Sequence, residues 1–426
     1  MRYFVLSLIA ALAVAAVLLP APEEPGLPPA VGSEEPAVAV CSIQEGSGRS
    51  TNLAILSTID GPAQLTLFTA GEPAGTLDTS TGPSGSTVLP VGDIAAVGTV
   101  GGLVELPNAA STAGVVIRGA TSLMSEACAS VPYPQVFLTG GSTVSGETFS
   151  MQLMNPYAGE AIVSLRVNSE AGIESNDRFN SVVIPPQSSA IIGFSELIPG
   201  RERVSVGLDT LEGRVIAVGQ QETDGESSIW NAVPAAQDWF LPVPAGQPSR
   251  TLVIGTPSAI DVDYQIDFYG PDGLEEALIT GVLPAGGQAE VDIDEISQEV
   301  SAVRVIATGN VVPILRIASA DGLATTNASP VQANRWMLPG ASALEGGFAN
   351  VVILNASIED STVSIRPLRD NSAVRDLALP SDQMVELALE VADGYLIEST
   401  SPVVVMWIGR SASGASASLG VPLADE

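Results

Sequence analysis

The sequence repeats with a period of about 100 residues, which limits the chain to folds built from several copies of one unit. An apolar strand closed by a small polar turn recurs with steps of 98, 101 and 99 residues. The turns lie at Ser57, Asn155, Thr256 and Asn355. A second turn, opened by proline, recurs with steps of 102, 99 and 96 residues. These prolines are Pro83, Pro185, Pro284 and Pro380. Two independent landmarks with one period indicate four tandem copies.

Each copy has the pattern of an antiparallel sheet. Gln64–Phe68 and Val163–Val167 alternate apolar and polar residues, as half-buried strands do. About 100 residues of short strands and frequent turns are typical of a β-sandwich. We therefore predict an all-β row of about four antiparallel β-sandwich (Ig-like) domains after an N-terminal apolar helix. Their predicted bounds are 37–130, 131–237, 238–333 and 334–426, the last including a short tail.

The N-terminus predicts export. Residues 1–20 contain an apolar run, Tyr3–Leu19, after the single charge of Arg2. This run suits a cleaved signal peptide or an uncleaved single-pass anchor, and a buried core helix is the third alternative. The first two place the rest of the chain outside the cytoplasm, either secreted or anchored to the plasma membrane. Residues 21–36 are rich in Pro and Glu and predict an extended stalk.

The two cysteines of the chain are Cys41 and Cys128, near the two ends of the first copy. An even number of cysteines in an exported chain favours a disulfide. We predict that it joins the first and last strands of this sandwich. A metal or redox site is the weaker alternative, because the chain has no Cys-x-x-Cys motif and no His.

The charge balance excludes several kinds of partner. The chain has 48 acidic and 16 basic residues and a formal net charge of −32. Phosphate binding needs clustered positive charge, so neither a nucleic acid nor an anionic membrane surface is an expected partner. The acidic residues predict a solubilising surface; collection of divalent cations or basic partners is the alternative.

The composition also restricts catalysis. Without His or Lys, a Ser-His-Asp triad, a Cys-His pair and a Schiff base are all excluded. Carboxylate pairs remain, and two groups of acids are candidates: Asp261 with Asp263, and Asp292 with Asp294 and Glu295. Their spacing in strands favours a solvated face over calcium binding or catalysis. We predict no catalytic residue, cofactor or metal site.

Two tryptophans open the third and fourth copies. Trp239 and Trp336 each precede a Leu-Pro pair, 97 residues apart. Packing into the junction with the preceding domain is the favoured interpretation. The alternative is an exposed surface for binding a ligand, since aromatic rings often serve that role.

Several strand-end motifs resemble an uncharacterised family of actinobacterial exported proteins whose domain is known only as one of unknown function. The motifs are Val136–Thr143 (VFLTGGST), Met151–Pro156 (MQLMNP), Val182–Ser188 (VVIPPQS), Gly213–Ala217 (GRVIA) and Trp239–Pro242 (WFLP). The similarity spans roughly residues 38 to 410. It implies a cell-envelope protein with an N-terminal anchor and tandem sandwiches, and it supplies no catalytic residue.

We therefore expect a non-enzymatic structural or adhesive module of the bacterial cell envelope, with a cell-wall glycan or another envelope protein as partner. The alternative is a carbohydrate- or peptide-binding ectodomain that uses loops at the end of a sandwich, where such sites usually lie. A carboxylate-dependent hydrolase is a more distant alternative.

Overall fold

The computed structural model describes residues 37–69, 73–82, 85–93, 98–247, 249–271, 273–296, 299–319, 322–344, 346–369, 374–390 and 394–423. Residues 33–426 belong to one compact unit. The predicted apolar helix of residues 1–20 and the stalk of residues 21–36 lie outside the described part. Within that part, no helix is long and apolar enough to cross a membrane.

Strands dominate the fold, as the alternating patterns predict, and they fall into four sets. The first set is β1 (Ala37–Glu45), β2 (Ser50–Ser57), β3 (Pro62–Phe68), β4 (Pro73–Ser80), β5 (Ser86–Pro90), β6 (Gly98–Leu106), β7 (Ser111–Arg118) and β8 (Leu123–Ala127), with a 3₁₀ turn at Val91–Asp93. The second set is β9 (Gln135–Gly141), β10 (Glu147–Asn155), β11 (Ala161–Ser169), β12 (Gly172–Glu174), β13 (Val182–Ile184), β14 (Ser188–Gly193), β15 (Val204–Glu212), β16 (Ile216–Thr223) and β17 (Glu226–Asn231), with a 3₁₀ turn at Asp177–Phe179 and the short helix α1 (Phe194–Leu197).

The other two sets follow the same plan. The third set is β18 (Ala236–Pro242), β19 (Ser249–Gly255), β20 (Val262–Gly270), β21 (Gly273–Leu283), β22 (Gln288–Asp292), β23 (Ala302–Ser319) and β24 (Gly322–Asn327), with α2 (Ile293–Ile296). The fourth set is β25 (Ala333–Leu338), β26 (Phe348–Asn355), β27 (Ser361–Pro367), β28 (Arg375–Leu379), β29 (Gln383–Leu389), β30 (Tyr395–Ser411), β31 (Gly414–Leu419) and β32 (Val421–Pro422), with α3 (Pro339–Ala343). The predicted boundaries after residues 237 and 333 fall inside β18 and β25.

Each set forms two antiparallel sheets. In the first sandwich the strand orders are β1-β6-β3-β4 and β5-β2-β7-β8, and in the second they are β12-β11-β15-β9 and β14-β10-β16-β17. In the third and fourth sandwiches a single long strand, β23 or β30, runs through both sheets and replaces two shorter strands. The four sandwiches therefore share one topology, in which the same strand position lies at the edge of one sheet; in the fourth sandwich β32 follows this strand and pairs with β25. We call these four edge strands, β8, β17, β24 and β31, the inner strands.

The inner strands pack around a common axis. Each contacts the inner strand of the next sandwich, and β31 of the last contacts β8 of the first. Opposite strands, β8 with β24 and β17 with β31, also approach within 8 Å between Cα atoms. Small residues make this approach possible, as in the sequence GASASL of β31. Every residue of β24 is buried, so these sheet edges are protected from pairing with other chains.

The apolar core of each sandwich continues into the next one. The core of the first sandwich includes Met154 and Val218 of the second. The same relation links the second with the third and the third with the fourth. The core of the fourth sandwich includes Ala54 and Val116 of the first. The four sandwiches thus form a closed ring, and the predicted open row is wrong in this respect.

The closing junction, between the fourth and first sandwiches, is largely apolar. Helix α3 lies on the first sandwich, where Gly114 faces Pro339: a Cβ atom at Gly114 would lie 2.8 Å from Pro339 Cγ. Asn52 Nδ2 donates to the oxygen of Ala343 at 3.2 Å, at the end of this helix. A glycine is required at residue 114 because any side chain there would push the helix away.

Candidate functional site

The junction between the first and second sandwiches carries a polar network beside its apolar contacts, and we call this junction the polar seam. Arg49 NH1 donates to Gln44 Oε1 at 2.6 Å, and Gln44 Nε2 donates to Gln220 Oε1 at 2.9 Å. Gln220 Nε2 donates to Glu222 Oε1 at 2.8 Å, and an ion pair between Glu222 and Arg49 closes the cycle. Arg49 also donates to Ser227 Oγ at 3.1 Å. Two sandwiches are therefore joined by a closed cycle of hydrogen bonds.

A small cavity lies beside this cycle inside the seam. Ser42 Oγ donates to Gln152 Oε1 at 2.6 Å, whereas Gln152 Nε2 is buried and has no hydrogen-bond partner among the described residues. Both residues line a cavity of about 10 Å³, which Gln44 and Gln220 also line. That volume is close to the minimum for one water molecule, and the lining offers it enough polar partners. The interior of the polar seam is thus suited to one buried water.

The outer side of the cycle opens into a depression of about 210 Å³. Its lining is almost entirely polar: Arg49, Gly146, Thr148, Glu222, Thr223, Asp224, Gly225 and Ser227. A two-residue hairpin turn supplies part of the wall, because Asp224 (φ 51°) and Gly225 (φ 87°) both adopt the left-handed conformation that such turns require. The depression offers hydroxyl, carboxylate and guanidinium groups to a small polar ligand.

Glu126 of β8 lies near the axis, where the first and second sandwiches meet. Its Oε1 accepts from Asn231 Nδ2 at 3.1 Å and from the amide of Ala127 at 3.1 Å. Its Oε2 is buried and has no hydrogen-bond partner in the described structure. Burial raises the pKa of Glu126 to about 8, and hydrogen bonds from residues 127 and 231 lower it only in part. The acid is therefore largely protonated at pH 7.

Further polar contacts join the other inner strands. Thr325 Oγ1 donates to Ser228 Oγ at 3.0 Å, between the third and second sandwiches. The amide of Ala127 donates to Ser418 Oγ at 3.2 Å, between the first and fourth. The axis therefore combines close packing with side-chain hydrogen bonds across each of these junctions.

The two tryptophans considered as a possible binding surface are not exposed. Trp239 and Trp336 are both 0% accessible, and each indole nitrogen donates to a main-chain oxygen, that of Ala236 or those of Ala333 and Val403. A ring without exposed surface cannot contact a ligand, so the alternative of an exposed ligand-binding surface is wrong. Each ring packs in the core of the sandwich that it opens.

The predicted disulfide is confirmed. Cys41 and Cys128 are bonded, with their Cα atoms 4.6 Å apart and both side chains buried. Cys41 lies in β1 and Cys128 directly follows β8, so the bond joins the first and last strands of the first sandwich. A disulfide is typical of a protein outside the reducing cytoplasm.

The acidic candidates are engaged in structural contacts. Asp294 accepts from Arg250 Nε at 2.8 Å and from the amide of Arg250 at 2.7 Å, and Arg250 is almost completely buried. Asp292 accepts from the amide of Asp294 at 2.9 Å, and Asp261 accepts from the amide of Ala285 at 3.1 Å. Asp263 and Glu295 are exposed. Among the described residues, no group of three or more His, Cys, Asp or Glu is placed to hold a metal ion.

A match to a known family covers most of this ring. Residues 97–376, more than half of the chain, match the family of unknown function DUF5719. The chain belongs to this family. In this DUF5719 protein the matched residues include the whole second and third sandwiches, and they contain Glu126 and Glu222 but not Arg49.

Other comparisons give weaker likenesses. A crystal structure titled Thermotoga maritima 1070 is 16% identical, covers 22% of the DUF5719 protein and 94% of its own chain, and has a TM-score of 0.19. A tetra-tandem repeat from the extending region of a large adhesion protein is 11% identical, with coverage of 92% and 100% and a TM-score of 0.13. Scores this low support no conclusion. No curated protein matches the chain.

The residues of the polar seam were not predicted. Gln44, Gln152 and Gln220 resemble ordinary polar positions of half-buried strands, and Glu126 stands between apolar and small residues in LMSEA. The sequence carries one signal of these contacts: the strand near the end of every copy contains polar residues such as Ser, Thr, Asn or Glu, which are unusual in buried strands. Recognising it requires knowing that these edge strands meet.

Proposed function

We propose that this protein is a non-enzymatic structural or adhesive module of the bacterial cell envelope, exported and working outside the cytoplasm. The observation that carries the proposal is the closure of the ring by the packing of the fourth sandwich on the first. Closure fixes four sandwiches in one body. A rigid body of this kind suits a spacer or a contact surface.

Two further observations support this proposal. The buried disulfide suits an oxidising compartment. Three of the five candidate carboxylates, Asp261, Asp292 and Asp294, accept hydrogen bonds within the third sandwich, and Asp294 pairs with the buried Arg250. The apolar N-terminal run remains the proposed means of export or anchoring.

The test combines localisation with a variant that opens the ring. In a strain without the native copy, the wild-type gene is compared with Gly114→Leu, whose side chain would collide with Pro339. Gly159→Leu is the matched control, since a Cβ atom there meets nothing within 4 Å. We expect wild type and control to fractionate with the envelope and to restore its integrity and adhesion. Gly114→Leu should reach the envelope but fail to restore them. Full function of Gly114→Leu, or a cytoplasmic location, contradicts the proposal.

The second candidate is a carbohydrate- or peptide-binding ectodomain, and the depression of the polar seam favours it. Its hydroxyl and charged groups are the kinds that hydrogen-bond sugar hydroxyls or a peptide backbone. Calorimetric titration with cell-wall glycan fragments and short peptides tests this candidate. Binding that is lost in Thr148→Val with Arg49→Met, and kept in Thr362→Val at an exposed position of the fourth sandwich, would establish it. Tryptophan fluorescence is not a suitable probe because the four rings are buried.

A further inference from the structure

Glu126 holds a position in which its charge state affects the ring. Strand β8 touches the inner strand of the second sandwich on one side and that of the fourth on the other. The carboxyl group bonds across the polar seam to Asn231, while its second oxygen has no hydrogen-bond partner in the part of the chain that the structure describes. A neutral carboxyl group is tolerated there, whereas a carboxylate would be buried and incompletely paired.

Among the described residues, no charged group packed against β8 compensates for that carboxylate. The elements packed against β8 are β7, β17, β24, β31 and α3, and their charged side chains are Arg118 of β7 and Glu226 of β17. Arg118 pairs with Leu123 at the opposite end of β8, and Glu226 lies at the opposite end of β17 from Asn231. Neither residue faces Glu126. Ionisation must therefore be satisfied by water, which has to enter between the strands.

The polar seam offers the easiest route for water. Its interior already has a cavity of about 10 Å³ beside the unpartnered amide of Gln152. The junction between the fourth and first sandwiches is closed by apolar side chains and by α3. Opening the polar seam exposes polar groups that bond well to water together with apolar residues such as Val218, whereas opening the other junction exposes mainly apolar surface, at a larger cost in free energy.

We propose that Glu126 is a pH-sensitive latch of the ring: its neutral form holds β8 against β17, and loss of its proton opens the polar seam. The opening is local, because the disulfide and the three other junctions hold the remaining structure together. In the opened state water solvates the carboxylate, and the outer depression gains access to the interior of the seam.

Linkage sets the pH range of this opening. In the opened state Glu126 has an ordinary pKa near 4.5, and in the closed state the value is about 8. The opened state therefore binds fewer protons between these two values, and the equilibrium constant for opening rises with pH across that range. The rise approaches tenfold per pH unit and levels off above pH 8. Below pH 4.5 the seam is most stable.

Hydrogen exchange of the full chain tests the latch. Exchange of peptides covering 123–127 and 226–231 is measured from pH 5 to 9 and divided by the intrinsic exchange rate at each pH. We expect protection to fall up to tenfold per pH unit to pH 8 and then to level off. Peptides from β26 serve as the internal reference and should not change.

Two variants decide the outcome. Glu126→Gln keeps an acceptor for Asn231 but cannot ionise, so its protection should not vary with pH. Glu222→Gln removes a partly exposed acid of the same seam, one that pairs with Arg49, and should keep the wild-type pH dependence. Calorimetry at pH 6 verifies that both variants fold. Protection that is independent of pH in the wild type, or equally dependent in Glu126→Gln, overturns the proposal.

Discussion

Asn327 donates its side-chain amide to the main-chain oxygen of Asn231 at 2.9 Å, and Asn231 makes the same contact with Ala127 at 2.8 Å. The three residues end the inner strands β24, β17 and β8. Each asparagine therefore satisfies an edge carbonyl of the preceding sandwich that no sheet partner reaches. One type of contact, repeated at two successive junctions, helps to set the spacing of the sandwiches around the axis.

Replacing these asparagines should loosen the axis. Asn327→Ala leaves the partly buried carbonyl of Asn231 unpaired, at a cost of about 1 to 3 kcal/mol in the free energy of unfolding. Asn231→Ala should cost more because it also removes the bond to Glu126. Urea denaturation measures both. Asn334→Ala is the control, since Asn334 bonds to Ser399 within one sandwich.

The location of the effect distinguishes the two kinds of asparagine. Asn327→Ala should speed hydrogen exchange in both inner strands that it joins, β24 and β17. The control should change exchange only in the fourth sandwich. Equal exchange in β17 of wild type and Asn327→Ala would show that the contact does not hold the junction together.

The global stability should depend on pH through Glu126. Its folded pKa, about 8, lies above the unfolded value near 4.5, so the unfolded state releases the proton first as pH rises. Glu126 contributes its full stabilisation below pH 4.5. This contribution falls progressively as pH rises from 4.5 to 8. Each pKa unit corresponds to about 1.4 kcal/mol in the free energy of unfolding. The stability of Glu126→Gln relative to wild type should therefore be several kcal/mol greater at pH 8 than at pH 4.5.

Thermal unfolding of wild type and Glu126→Gln at pH 4.5 and pH 8 measures this gain. The melting temperatures should be similar at the lower pH and differ at the higher pH, with the variant more stable. A variant that is less stable at both values would mean that the native carboxyl group makes a bond that an amide cannot replace.

The disulfide should contribute to the first sandwich in particular. Closing a loop of 87 residues stabilises the folded state by roughly 4 kcal/mol on the chain-entropy model. We expect Cys41→Ser with Cys128→Ser to lower the free energy of unfolding, measured by urea denaturation, by about this amount. Because both cysteines are buried, reductant alone should act slowly on the native protein and quickly in denaturant. Rapid reduction of the native form would indicate that the first sandwich opens readily.

Much of the architecture follows from short-range patterns. The alternation in Gln64–Phe68 and Val163–Val167 predicts strands because a sheet has one buried face, and both segments lie in strands. The positions of Cys41 and Cys128 at the two ends of one copy predict their bond. These signals are strong because each depends on residues within a single period of the repeat.

Closure of the ring is a different kind of property. Gly114 and Pro339 are 225 positions apart, and neither belongs to a pattern that points to the other. The buried tryptophans illustrate the same limit, because the motif around Trp239 and Trp336 favours packing at a junction over an exposed surface but does not indicate which core the rings enter. Packing between copies decides these cases, and a periodic sequence gives no direct sign of whether its copies form a row or a ring.

Arg250 provides a test of how far the acidic candidates are structural. Its guanidinium bonds to Asp294 and to the main-chain oxygen of Val300 at 2.8 Å, inside the third sandwich. Removing one partner of a buried ion pair leaves the other uncompensated, at a cost of about 3 to 5 kcal/mol. Arg250→Met should therefore destabilise strongly, while Arg304→Met, at a more exposed pair with Asp238, should cost about 1 kcal/mol or less in urea denaturation. Similar small losses of stability in both variants would show that Asp294 is not needed to pair with Arg250. Asp294 would then again be a candidate for calcium binding or catalysis.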